Sequence, residues 1–116
     1  MKKIITRYSH PIRGIAYALH NDRSYRSQVY LFGVVVAGIF VYFDPLTYAE
    51  VLFVVLAYAL ILITELQNSA LEAALDRMHP ERHEMIGQSK DMAAGAVLTA
   101  GVFLLVVIGV LVVSRL

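Results

Sequence analysis

Residues 92–114 read MAAGAVLTAGVFLLVVIGVLVVS, without one charged side chain. An α-helix needs about 20 apolar residues to cross the ~30 Å hydrocarbon core of a bilayer, so this run predicts a span. Two further uncharged runs precede it, 29–43 (VYLFGVVVAGIFVYF) and 51–64 (VLFVVLAYALILIT). Taken singly, each is as short as the buried core of a soluble helix. Each also extends, the first backward through Tyr25 and the second forward through Leu66, Ala70 and Leu71.

The whole composition agrees with a membrane protein. The chain has 116 residues, 59% of them hydrophobic, with a mean hydropathy of +0.66. That share exceeds the roughly 45–50% of soluble domains. A domain this small buries too little of its surface to hide the excess, which must face lipid or partner subunits. The length predicts a single domain over residues 1–116. The absence of cysteine excludes disulfides, thiolate metal sites and cysteine nucleophiles. Lys2 and Lys3 begin a stretch that Arg7, His10 and Arg13 interrupt, so no secretory leader is expected.

Breaks and charges order the spans. Asp44-Pro45 ends the first, because proline disfavours helix in the residue before it. His79-Pro80 ends the second in the same way. The loop between the first two spans is short, so they are expected as antiparallel neighbours. Of ten Lys and Arg residues, only Arg115 lies off the side shared by the N-terminus and the connection around residues 76–91. The positive-inside rule makes that side cytoplasmic.

Before the first span, Ile4, Tyr8, Ile12, Ile15 and Leu19 recur at helical spacing, with Arg7, His10 and Arg13 largely off their stripe. This predicts an amphipathic helix lying in the membrane interface. Pro11 predicts a break or a late start in it. The expected fold is all-α: an integral membrane protein with a surface helix at about 4–22 and transmembrane helices at about 26–43, 48–70 and 91–114.

The chemistry lies on the second span. Glu65, Asn68, Glu72 and Asp76 are spaced three, four and four, which sets them on one helix face. Glu65 falls ~26 Å along the axis from Tyr48, near the cytoplasmic edge of the hydrocarbon, and Glu72 lies ~10 Å further on. An ionisable group at membrane depth is costly and points to function. Lipid cannot satisfy such a stripe, so it faces a bundle or a cleft. Carboxylates and an amide oxygen suit Mg²⁺, and nearby cations suit phosphate. Lys90 and Asp91 open the third span at the same level, and Asp22 and Arg23 end the surface helix there. The set predicts phosphoryl transfer, with deep Glu65 meeting a lipid hydroxyl and shallow Glu72 meeting Mg-nucleotide. No GxxxxGK[ST] loop, GxGxxG or HExxH occurs, so a nucleotide site must come from side chains of several helices. Two other classes stay open. A small ion-coupled transporter would use Glu65 as its proton site. A non-enzymatic assembly subunit would use the stripe only to join helices.

Glu65-Leu-Gln-Asn68-Ser69-Ala70-Leu-Glu72-Ala-Ala-Leu-Asp76 resembles the signature E-x-x-N-[ST]-[SA]-[LIV]-E-x-x-[VL]-D of the prokaryotic diacylglycerol kinase family. Lys90-Asp91-Met-Ala-Ala-Gly-Ala-Val-Leu98 is similar to its undecaprenol kinase branch, towards which Ala93-Ala94-Gly95 leans. Arg13-Gly14-Ile-Ala-Tyr17 and Asn21-Asp22-Arg23-Ser-Tyr25-Arg26 resemble its N-terminal segment. The resemblance implies a homotrimer in the bacterial inner membrane, with active sites between subunits, that phosphorylates diacylglycerol or undecaprenol from ATP with Mg²⁺. It implies Glu65 as general base and substrate contact, with Asn68 and Ser69 beside it. It implies Asp22 and Glu72 as metal ligands, and Asp22, Glu72, Asp76, Glu81, His83, Lys90 and Asp91 around the nucleotide. The family usually carries Glu at Asp22 and an acid at Gln28, and Lys3 is the one candidate for a nucleotide contact in the leader.

Overall fold

The computed structural model describes residues 2–81 and 83–116, with side chains from Ser9 onward. The chain forms α1 Lys2–Asn21, α2 Arg23–Tyr42, α3 Tyr48–Met78 and α4 Glu84–Ser114. No strand occurs among the described residues. The helices α2, α3 and α4 are each long and apolar enough to cross a membrane. α3 runs past Ala70 to Met78, and α4 starts at Glu84 rather than near Asp91. Leaving the apolar zone does not end a helix. Each added residue of good helix formers such as Leu, Glu and Ala adds a hydrogen bond, until His79-Pro80 stops the run.

The expected break at Pro11 does not occur: α1 passes through it. An interior proline removes one backbone hydrogen bond and crowds the preceding turn. Here Pro11 is exposed and displaces no packed neighbour. Of the predicted apolar stripe, Ile12 and Ile15 are exposed and Leu19 is half-buried. The side chains of Ile4, Tyr8 and Lys3 lie outside the described residues.

The corner between α1 and α2 is pinned from both sides. Asp22 caps α2, its Oδ1 accepting from Tyr25 N–H at 3.2 Å. Arg26 Nη1 reaches back to the last carbonyls of α1, Leu19 O and His20 O, both at 3.2 Å. A cation there satisfies orphan acceptors and suits the negative helix end.

α3 is the central helix, packed against α2 on one side and α4 on the other. Its buried residues Val54, Ala57, Ile61 and Glu65 repeat every three or four positions. Ala100, Leu104, Val107 and Leu111 do the same on α4, and Val36, Ile39 and Phe43 complete the core from α2. Small Ala57 and Ala100 let the helices approach closely. Tyr58 Oη donates to Val29 O at 2.9 Å, tying α2 to α3 across the site that Gly33 leaves open.

At the far end Thr47 and Glu50 form a capping box that starts α3. Arg115 then closes the end of α4 on this corner. It holds Glu50 bidentately at 2.7 and 3.2 Å and donates to Phe43 O and Pro45 O, both at 3.3 Å. The whole measures 52 × 45 × 20 Å, so the helices form a thin layer rather than a closed bundle. Val34, Val41, Leu98 and Val113 are each at least 69% exposed on its faces.

Candidate active site

Glu65 is 4% exposed and is the one buried polar or charged residue among those described. The helix repeat explains its depth. Glu65 follows Ile61 by four residues on the stripe that Val54 and Ala57 begin, so α3 carries its carboxylate onto the packed face. Ser24, at the start of α2, donates from Oγ to Glu65 Oε1 at 2.6 Å.

A cleft of about 1040 Å³ opens here between α1, α2 and α3. It gathers Asp22 from the α1–α2 corner with Glu65, Asn68, Ser69, Glu72 and Asp76 of α3. Ile15 and Ala18 of α1 and Leu66 of α3 supply apolar wall. The cleft is thus graded, from a buried carboxylate at one end to exposed Glu72 and Asp76 at the other. Asn68 Oδ1 is buried without a hydrogen-bond partner among the described residues. A buried carbonyl oxygen left this way is costly, and a donor on a bound ligand would relieve it.

Lys90 pairs with Asp76. It joins the cleft through that partner and does not line it. Glu81, His83 and Asp91 are exposed outside the cleft. His83 caps α4 instead, its Nδ1 accepting from Met85 N–H at 3.1 Å. The structure therefore brings together Asp22, Glu65, Asn68, Ser69, Glu72 and Asp76, and leaves Glu81, His83 and Asp91 apart. Gln28 lies in a second, smaller crevice of about 340 Å³ with otherwise apolar lining from α2, α3 and α4. Nothing in the sequence pattern marks Ser24. It lies 41 residues from Glu65, and no spacing rule connects them.

No three His, Asp or Glu side chains among the described residues stand close enough to enclose a metal ion. Mg²⁺ is usually held by one or two carboxylates together with substrate phosphates and water. Asp22 commits Oδ1 to its helix cap and Glu72 makes no ion pair among the described residues, so both have oxygens to offer. The donor set fits a nucleotide-borne divalent cation.

A family model described as prokaryotic diacylglycerol kinase matches residues 9–113. The diacylglycerol kinase of Escherichia coli (strain K12) is 34% identical over 100 residues, covering 84% of this chain and 79% of that one. The diacylglycerol kinase of Haemophilus influenzae is 32% identical over 95 residues, covering 82% and 77%. That of Pseudomonas aeruginosa is 31% identical over 100 residues, covering 86% and 80%.

Proposed function

The chain belongs to the prokaryotic diacylglycerol kinase family of membrane lipid kinases, and we propose that it transfers the γ-phosphate of ATP to the hydroxyl of diacylglycerol. One observation carries the reading: a buried carboxylate, Glu65, opens into a cleft that also holds Asp22 and Glu72. Neither competing class accounts for that whole set. A proton site needs Glu65 but not the water-facing acids, and a helix staple needs no cleft.

Glu65 takes the proton from the lipid hydroxyl as its oxygen attacks the γ-phosphorus. The phosphorus–oxygen bond to ADP breaks, and ADP leaves with the electron pair. Asn68 Oδ1 accepts from a lipid or headgroup hydroxyl, which relieves its unpaired state. Ser69 lines the same wall. Asp22 and Glu72 would hold Mg²⁺, which would offset the negative charge of the phosphates. Asp76 keeps Lys90 at the mouth of the cleft, where the ammonium meets phosphate. Such a reaction is mostly positioning and electrostatics, so a sparse set of side chains suffices.

The same reading sets the cleft at the cytoplasmic face of the inner membrane, with the N-terminus and the 76–91 connection inside. The charge asymmetry supports this. The thin layer and its exposed apolar faces support a homotrimer with sites between subunits. The test is purified protein with Mg-ATP and either diacylglycerol or undecaprenol, scored for lipid phosphate. Phosphatidic acid formation is expected. Transfer to undecaprenol alone would overturn the choice of acceptor, and transfer to neither would overturn the activity.

A further inference from the structure

Glu65 is held by a group to which the proposed chemistry gives no task. Ser24 Oγ donates to Glu65 Oε1 at 2.6 Å. It is the one side-chain hydrogen bond to Glu65 among the described residues. Ser24 is exposed, so its hydroxyl serves no packed core. Its place is set by the start of α2, which Asp22 caps two residues earlier. The link is not needed to join α2 to α3, because Tyr58–Val29 and the apolar core already do so.

A glutamate side chain turns about three bonds, and apolar neighbours alone cannot fix its carboxylate plane. A hydroxyl on Oε1 does fix it, and leaves Oε2 without a hydrogen-bond partner among the described residues. We infer that Ser24 is a positioning residue for phosphoryl transfer, anchoring one oxygen of Glu65 so that the other meets the lipid hydroxyl. This rests on the reading of Glu65 as the base. The lipid proton passes to Oε2. Ser24 keeps its own proton throughout and is neither nucleophile nor acid.

The experiment compares the full-length parent, Ser24→Ala, Ser24→Thr and Glu65→Gln in mixed micelles with Mg-ATP and diacylglycerol. Ser24→Ala is expected to lower kcat roughly tenfold, short of the ~100-fold that a 1 Å misplacement of a reacting group can cost. KM for both substrates and the unfolding temperature stay near the parent's. Ser24→Thr, which restores the hydroxyl, recovers most of kcat. The inference is overturned if Ser24→Ala keeps kcat within about twofold of the parent, or if the loss lies wholly in KM. It is also overturned if Ser24→Thr is as slow as Ser24→Ala, or if the loss of kcat follows a loss of thermal stability. The Glu65 variant separates the two readings. Near-parent turnover in Glu65→Gln removes the base and Ser24's task together. An inactive Glu65→Gln beside an unimpaired Ser24→Ala removes only Ser24's task.

Discussion

Replacing Glu65 by Gln exchanges one carboxylate oxygen for an amide nitrogen. Shape and volume barely change in a site that is 4% exposed, so no cavity forms. The remaining oxygen can still accept from Ser24, whose bond spans 2.6 Å. What disappears is the proposed proton acceptor. General-base catalysis contributes about 10²–10⁴ in rate, or about 3–5 kcal/mol of activation free energy. The expected result is a kcat lowered by that factor. Nucleotide affinity should hold, because Asp22, Glu72, Asp76 and Lys90 are untouched. Labelled phosphate transfer from ATP to diacylglycerol measures the first quantity, and equilibrium binding of a non-hydrolysable nucleotide measures the second. Retention of more than about a tenth of the parent kcat would refute the base assignment. A collapse of nucleotide binding with intact folding would show that Glu65 serves the nucleotide instead.

Three further expectations follow from the packing and the charges. In Gly33→Ala the new Cβ would stand 3.2 Å from Tyr58 Oη, so the hydroxyl must give by a few tenths of an ångström, straining its bond to Val29 O at a cost of up to about 1 kcal/mol. In a Tyr58→Phe background that clash is gone, so the same Ala should leave the unfolding temperature unchanged or raise it, and a double-mutant cycle reads the coupling. Asp76→Asn frees Lys90 from a partly exposed pair worth less than about 1 kcal/mol. Thermal stability should hold while KM for ATP shifts, and an unchanged KM would remove Lys90 from the nucleotide site. Chelation of divalent cations should stop turnover and leave helicity by circular dichroism intact, because no protein-only metal cluster supports the fold among the described residues.

The buried stripe of α3 joins the fold to the site. Val54, Ala57 and Ile61 drive the helix against its neighbours, and the same periodicity brings Glu65 into that contact four residues later. Moving the carboxylate one position along the helix would turn it by ~100°, off the packed face. The apolar repeat therefore sets the exposure of the Glu65 carboxylate as well as the packing.

The sequence by itself determined the three spans, the order of the helices, the family and the acidic stripe. These are local and periodic properties: uninterrupted apolar runs, proline at the breaks, and carboxylates at helical spacing. They also sufficed for the grouping of Glu65, Asn68, Ser69, Glu72 and Asp76 in one cleft, because a single helix carries all five. Residues from other elements were beyond its reach. The continuity of α1 through Pro11 depended on exposure that no pattern shows. Asp22 was legible as an acid, but its entry into the cleft depends on the α1–α2 corner that Arg26 pins. Glu81, His83 and Asp91 looked equivalent to the others, yet they lie outside the cleft, with Asp91 within α4 and His83 serving as its cap. Ser24 had no signal at all. Its hydroxyl reaches Glu65 because two helices far apart in sequence meet at one level, and only tertiary packing sets that distance.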